Sequence, residues 1–206
     1  MSKTLKGVFP ALPTPFREDL SVDYAALKRV VEFAISAGAH GLLAVDMPGE
    51  FFTLTDDERR NCVEVILETV ADRVPVAVNV SAASEEQSFL FAKHAVHMGA
   101  AAIVTTPPFF RVQSPARIEK YFRQLNQVTD LPIIAQNSPE NLGTAIDVVL
   151  QEKLVRENVN VQYLMEECSA AQLLISDVLH RVQGIPNFEA VAVGSCCQMM
   201  LHDYYR

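Results

Sequence analysis

Two acidic residues, Asp46 and Glu166, stand at the ends of apolar, strand-like runs and could act as an acid–base pair. Asp46 follows residues 41–45, and Glu166 follows residues 161–165. The carboxyl ends of parallel strands are where β/α folds place reactive groups, and two carboxyl groups can supply a general acid and a general base. Such residues also serve as solvated charges or helix caps, so the sequence alone leaves both interpretations open.

Cysteine offers a second kind of chemistry at four positions: Cys62, Cys168, Cys196 and Cys197. Cys168 follows Glu166 near the expected start of a helix, where the helix N-terminus could lower the pKa of the thiol and activate it. No histidine is placed beside it by the pattern, and the spacing of the cysteines matches no zinc motif. We therefore expect buried structural thiols, and we predict no metal site and no cofactor.

The elements that would position these residues are short apolar runs that alternate with helical patterns. The runs are typical of strands buried on both faces. They span residues 7–12, 41–45, 74–80, 101–105, 131–136, 161–165 and 188–193. Apolar residues recur at helical spacing in residues 23–37 and 55–70. Thr55 and Ser84 each begin a capping-box pattern, and Gly38 stands where a helix should end.

About seven βα units fill residues 1–206 without a linker, which predicts a single domain. Such alternation is typical of a doubly wound sheet or a β/α barrel. The chain has no glycine-rich nucleotide motif and only 8 glycines, so we favour a TIM-type (β/α)8 barrel. A complete barrel takes about 250 residues, so the predicted barrel is incomplete. A truncated chain, a second chain covering the gap and an irregular closure all remain open.

Composition excludes several classes of protein. The net charge of −8 and the pI near 5.1 argue against binding to nucleic acid or to an anionic membrane surface. The N-terminus lacks the apolar stretch of a signal peptide, and no run is long enough to span a membrane. No two cysteines form a C-x-x-C pair. These features predict a reduced, cytoplasmic protein.

A series of short motifs follows in order along the chain. They are FPALPTPF at 9–16, GLLAV at 41–45, PGE at 48–50, LTDDER at 54–59, TPPFF at 106–110, DLPII at 130–134 and NSP at 137–139. This series resembles the dihydrodipicolinate synthase / N-acetylneuraminate lyase family. The resemblance implies a class I aldolase-type barrel, often tetrameric, that acts on pyruvate or a related 2-oxo acid through a lysine Schiff base. It also implies a final βα unit and C-terminal helices, which these 206 residues do not contain.

The residues that the resemblance makes catalytic are replaced in this chain. Met165 stands where the Schiff-base lysine is expected, and a thioether cannot form an imine. Gln136 stands in the position of a catalytic tyrosine, and an amide has no pKa suited to proton relay. Phe110 replaces the tyrosine whose hydroxyl is often donated across a subunit contact.

The positions that would bind the substrate differ as well. Met47 and Pro48 replace two threonines of the carboxylate-binding motif, and Pro48 also removes a backbone N–H donor. Asn141 matches an arginine that often follows the Asn-x-Pro turn. Side chains replace three strand-end glycines of the family, at Asp46, Asn79 and Ser81. Glycine allows a ligand to approach the backbone closely, so these side chains should reshape the pocket.

These replacements predict a divergent family member without Schiff-base activity, in which Met165 fills the core. It would bind a small 2-oxo acid or related metabolite, or a partner subunit, as a homo-oligomer or together with an active homologue. An active lyase or aldolase with a displaced amine is one alternative, and a hydratase-like enzyme that uses Asp46, Glu166 or Gln136 is another. A non-functional truncated product is the third. A displaced amine is disfavoured because no lysine stands at the predicted carboxyl end of a strand. Four of the lysines follow helical patterns, at Lys28, Lys93, Lys120 and Lys153.

Overall fold

The computed structural model describes residues 5–194, in which helices and strands alternate along the chain. The strands are β1 (Leu42–Ala44), β2 (Val76–Asn79), β3 (Ala102–Thr105), β4 (Ile133–Asn137), β5 (Val161–Glu166) and β6 (Ala190–Val193). The helices are α1 (Tyr24–Ser36), α2 (Asp56–Val70), α3 (Glu85–His97), α4 (Pro115–Val128), α5 (Pro139–Leu142), α6 (Val148–Glu157) and α7 (Ala171–Val182). A 3₁₀ turn, Met47–Gly49, follows β1.

The six strands are hydrogen-bonded in the order β1-β2-β3-β4-β5-β6, which is also their order along the chain. The pairs β1–β2, β4–β5 and β5–β6 are parallel. A doubly wound sheet reverses its strand order at a switch point, whereas a β/α barrel adds each strand beside the last. The order therefore confirms the predicted fold class, a TIM-type barrel that is incomplete among the described residues.

The predicted first strand, residues 7–12, is reduced to a single parallel bridge between Ala11 and Leu43. The carbonyl oxygen of Pro10 accepts from Leu43 N, and Leu12 N donates to Leu43 O, both at 3.0 Å. Proline has no backbone N–H to donate. Pro10, whose carbonyl faces β1, therefore has no N–H to add to a regular ladder along this segment.

Helix boundaries agree closely with the sequence patterns. The side chain of Asp23 caps α1 by accepting from Ala26 N. The capping box at Thr55 is formed, since Glu58 Oε2 accepts from Thr55 N at 2.9 Å. Gly38 follows α1 with φ of +89°, a left-handed conformation that favours glycine.

Within the described residues the chain divides into two compact units. The first comprises residues 5–80 and 90–103, and the second comprises residues 81–89 and 104–194. Apolar side chains fill the core of the first unit, among them Leu27, Val31, Leu42 and Ile66. The second has its own core, with Ile118, Phe122, Leu125 and Leu154. Among residues 5–194, no helix is long and apolar enough to cross a membrane. The single domain expected for residues 1–206 stays a prediction.

Candidate functional site

The register between β4 and β5 determines which side chains meet in the second unit. Gln136 is paired with Met165, and Asn137 is paired with Glu166. Side chains alternate between the two faces of a sheet, so each pair shares a face and the two pairs lie on opposite faces. The two positions that the resemblance makes a tyrosine and a lysine are thus neighbours. Gln136 is fully buried and Met165 is 3% exposed.

Glu166 faces the helices that cover the sheet. Its Oε2 accepts from Asn137 Nδ2 at 2.8 Å, and its Oε1 accepts from Gln151 Nε2 of α6 at 2.6 Å. The residue is fully buried, and this burial raises the pKa of the carboxyl group, although both amide donors oppose the rise. The carboxylate therefore lies on the face of the sheet opposite Met165.

The partners of Glu166 also fix the chain that leads into α6. Asn137 Oδ1 accepts from Ile146 N at 2.9 Å, and Gln151 Nε2 also donates to Ile146 O at 2.7 Å. Two strands, one loop and one helix are therefore joined through one buried carboxylate. A buried polar group is tolerated in a core when such hydrogen bonds replace those with water.

Glu167 directly follows the last residue of β5 and stands two residues after Met165, so the alternation of side chains places it on the face of Met165. Its Oε2 accepts from Gln136 Nε2 at 2.9 Å, and its N–H donates to Asn137 O at 2.9 Å. Gly194 packs against the Glu167 side chain so closely that a Cβ at this position would have no room. Glu167 was not among the predicted site residues, although its two-residue spacing from Met165 was a signal that could have identified it.

Asp46 belongs to the first unit, where it is 1% exposed rather than solvated. Its Oδ1 accepts from Asn79 Nδ2 at 2.6 Å. The backbone oxygen of Asn79 in turn accepts from Arg59 Nη2 of α2 at 2.9 Å. Asp46 and Asn79, two of the three side chains expected in place of glycine, therefore bond to each other.

Arg59 is a buried cation that was not among the predicted site residues and that stands in the LTDDER motif. The residue is 5% exposed, and its guanidinium carbon lies 4.0 Å from the centre of the Phe91 ring and 4.9 Å from that of Phe51. Burial lowers its pKa to about 10, and the charges of Asp56 and Asp46 oppose that change. Arg59 is therefore protonated at neutral pH, and Asp46 is one of its counter-charges.

A tight turn places Asp46 at the end of β1. Val45 has φ of +49°, a left-handed conformation that costs a β-branched residue about 1–2 kcal/mol. Met47 and the exposed Pro48 then form the 3₁₀ turn, whose last carbonyl, at Gly49, accepts from Thr14 Oγ1 at 2.7 Å. Val45 therefore has a strained backbone conformation, and such conformations are frequent at functional sites.

The other predicted site residues lie in a loop and in a short helix. Phe110 is 75% exposed in the loop after β3, with the Arg111 guanidinium 5.9 Å from its ring centre. Asn141 lies in α5, and its Nδ2 donates to Ser138 Oγ at 2.9 Å. The first unit contains Asp46, Met47, Pro48 and Asn79. The second contains Phe110, Gln136, Asn141, Met165 and Glu166.

The described cysteines have weakly acidic thiols. Burial raises the pKa of Cys62 to about 12. Burial also raises the pKa of the half-buried Cys168, whose Sγ lies 3.9 Å from Glu166 Oε2. Cys196 and Cys197 lie outside the described residues. Among residues 5–194 no group of three or more histidine, cysteine or acidic side chains is arranged to hold a metal ion.

The amino-acid sequence as a whole is similar to those of known proteins. A model of the dihydrodipicolinate synthetase family matches residues 4–175. This chain belongs to that family. It is 35% identical over 170 residues to the L-2-keto-3-deoxyarabonate dehydratase of Azospirillum brasilense, covering 81% of this chain and 54% of the relative. It is 30% identical over 167 residues to a 4-hydroxy-tetrahydrodipicolinate synthase of Chlorobium phaeobacteroides (strain BS1), covering 81% of this chain and 56% of that one.

Solved structures of this family have the same fold. The dihydrodipicolinate synthase from Aquifex aeolicus superposes with a TM-score of 0.85 at 26% identity, over 91% of this chain and 63% of that chain. YagE, a prophage protein of the family from E. coli K12 in complex with pyruvate, gives a TM-score of 0.85 at 25% identity, over 90% and 62%. The chain therefore spans about half the length of these two curated relatives and under two thirds of these two solved structures.

Replacing Arg59 with methionine should destabilise the protein strongly. Arg59→Met removes a buried cation but leaves Asp46 buried, a change that typically costs about 3 kcal/mol. Arg60→Met is the matched control, because Arg60 lies next on α2 and pairs with Asp57 at the surface, where such a pair contributes about 0–1 kcal/mol. Urea unfolding measures both free energies, and losses of equal size would contradict the assigned role of Arg59.

Glu166 should make stability depend on pH. Its pKa is raised in the folded protein, so the folded state binds the proton more tightly than the unfolded state does. The free energy of unfolding therefore falls as pH rises through the folded-state pKa. Relative to Glu166→Gln, the wild-type protein should therefore lose stability as pH rises from about 4.5. Urea unfolding of both proteins at several pH values measures the difference. The exposed Glu86→Gln is the control, and a pH-independent difference for Glu166→Gln would refute the expectation.

Proposed function

We propose that this protein is a divergent member of its family that does not use imine chemistry and that binds a small ligand or a partner subunit. The pairing of Gln136 with Met165 in the β4–β5 register carries the proposal. An imine requires an amine at the position of Met165, and proton relay requires a hydroxyl or similar group at the position of Gln136. A thioether and an amide supply neither.

The placement of the described lysines supports the absence of a displaced amine. Four of them lie on helices rather than at strand ends: Lys28, Lys93, Lys120 and Lys153. Lys153 Nζ lies 2.8 Å from Glu119 Oε2, and Lys120 Nζ lies 3.8 Å from Glu85 Oε2. An amine held as an ammonium beside a carboxylate is a poor nucleophile.

The two acidic residues that could have formed an acid–base pair have structural contacts that favour another role. Glu166 accepts hydrogen bonds from Asn137 and Gln151 on the helix-facing side of the sheet. Asp46 accepts one from Asn79 and opposes the charge of Arg59. We infer that both carboxylates stabilise their own unit and do not transfer protons to a substrate.

An enzyme that acts on a 2-oxo acid without an imine is the second candidate. Glu167 favours it, because this carboxylate shares the face of Met165 and bonds to Gln136. The similarity to a dehydratase gives this candidate a reaction class, the cleavage of a carbon–oxygen bond. A 2-oxo acid ligand, assembly as a homo-oligomer or with an active homologue, and a cytoplasmic location remain predictions.

Borohydride trapping with pyruvate tests the proposal. Borohydride reduces an imine to a stable amine, so a Schiff-base enzyme gains the mass of reduced pyruvate on one lysine. We expect no adduct on protein that unfolds cooperatively, measured by intact mass and peptide mapping. A family member with lysine at the position of Met165 is the positive control. An adduct on any lysine of this chain would overturn the proposal.

Met165→Lys alone should leave lyase and dehydratase turnover at background. The position is 3% exposed, so a lysine there would be desolvated and its pKa lowered, and some of the amine would be unprotonated. Gln136 would still lack a proton-relay group, and Met47 and Pro48 would still lack the carboxylate-binding hydroxyls. Turnover of 2-oxo acids followed by NMR provides the measurement. Measurable turnover in a cooperatively folded single variant would show that these three residues are not limiting.

A further inference from the structure

Thr106, which directly follows β3, has a buried hydroxyl group without a hydrogen bond. The residue is 2% exposed, and among residues 5–194 its Oγ1 has no hydrogen-bond partner. Its backbone is held in place, since Thr106 N donates to Ser81 Oγ at 2.9 Å. A buried hydroxyl without a partner is unfavourable and rare in native proteins. At the carboxyl end of a barrel strand, such a group favours a role in binding a ligand that supplies the missing partner.

The side chain of Thr106 faces away from the helices that cover the sheet. The hydroxyl of the preceding residue, Thr105, lies 2.6 Å from Tyr121 Oη of α4, so Thr105 faces the helices. Thr106 precedes Pro107, which restricts it to extended conformations, and side chains alternate between the two faces along an extended chain. Thr106 therefore lies on the other face of the sheet.

Met165 and Glu167 lie on this same face. The helices α4 and α6 cover the opposite face side by side, because Lys153 Nζ of α6 lies 2.8 Å from Glu119 Oε2 of α4. Glu166 faces them, since its Oε1 accepts from a side chain of α6. Met165 and Glu167 stand on either side of Glu166 in the sequence and therefore face away from both helices.

The polar groups on this face match the hydroxyl groups of a ligand. The hydroxyl of Thr106 can donate and accept, whereas the carboxylate of Glu167 only accepts. Gln136 of β4, the strand between β3 and β5, donates to Glu167 Oε2 at 2.9 Å. A ligand hydroxyl can donate to the carboxylate, and a neighbouring hydroxyl can pair with Thr106. A ligand carboxylate would meet the like charge of Glu167, which is unfavourable.

We propose that Thr106 and Glu167 bind an uncharged small molecule with neighbouring hydroxyl groups, a short polyol or sugar, on the face of β3, β4 and β5 opposite α4 and α6. One ligand hydroxyl would pair with Thr106 Oγ1, and the next would donate to Glu167. This inference rests on the proposed function, because it names the ligand class of the site at Met165. It replaces the anionic 2-oxo acid that the family resemblance implies with a neutral ligand.

Titration with erythritol, followed by NMR of protein labelled in its methionine methyl groups, tests the proposal. The chain has 6 methionines, and the Met165 signal is assigned with Met165→Leu. We expect this signal to shift on binding, and Thr106→Val should weaken the affinity about fivefold, as expected for one lost hydrogen bond. Erythronate is the matched anion and putrescine the matched cation, and erythritol should bind more tightly than either. Glu167→Gln should remove the preference for erythritol over erythronate.

Thr105→Val is the matched control, because the hydroxyl of Thr105 faces the helices and bonds to Tyr121. It should lower the free energy of unfolding in urea and leave the affinity for erythritol unchanged. Thr106→Val should not lower the free energy of unfolding, because it removes a hydroxyl that has no partner. An equal loss of stability in both variants would overturn the proposal, since Thr106 would then have a structural role.

The ligand titrations can also overturn the proposal. The contradicting results are an unchanged Met165 signal with erythritol, or tighter binding of erythronate or putrescine. These outcomes are separate from a failure of the proposed function, because erythritol has no carbonyl group and cannot form an imine. Absence of erythritol binding would leave the lack of imine chemistry standing, whereas a pyruvate adduct in the borohydride experiment would overturn that lack alone.

Discussion

The parallel register between β4 and β5 is the constraint on which the site of this protein depends. It pairs Gln136 with Met165 on one face of the sheet and Asn137 with Glu166 on the other. The first pair occupies the positions at which the family resemblance calls for a tyrosine and a lysine. A shift of one residue would exchange the faces and bury Met165 against the helices. The register therefore makes neighbours of the two positions that the resemblance would make catalytic.

Each compact unit also contains a buried charge with specific partners. In the first unit, Arg59 lies against Phe51 and Phe91 and bonds to Asn79, which in turn bonds to Asp46. In the second, Glu166 is held by two side-chain amides. Charged groups are costly to bury unless they are paired or hydrogen-bonded. Asp46 and Glu166, the two acids at strand ends, therefore accept hydrogen bonds from within their own units.

Much of the fold could be predicted from the sequence because its signals are local. Capping residues such as Thr55 and apolar spacing located α1 and α2 within one residue at each end. The segment 7–12 was harder, because its strand-like composition was offset by Pro10 and by the neighbouring Pro13. The site depends on contacts between residues that are far apart in the sequence. The contact of Gln136 with Glu167, 31 residues later, and the burial of Arg59 follow from packing that no local pattern specifies.

NMR of the folded protein with [2-¹³C]pyruvate tests most directly whether imine chemistry is absent. Imine formation converts the labelled ketone carbon to a C=N carbon with a distinct chemical shift, without any reducing agent. With Met165 paired with Gln136, and with four of the described lysines on helices rather than at strand ends, we expect only the signals of free pyruvate and its hydrate. A protein-bound imine signal, in proportion to the protein present, would contradict the proposal that this family member lacks Schiff-base chemistry.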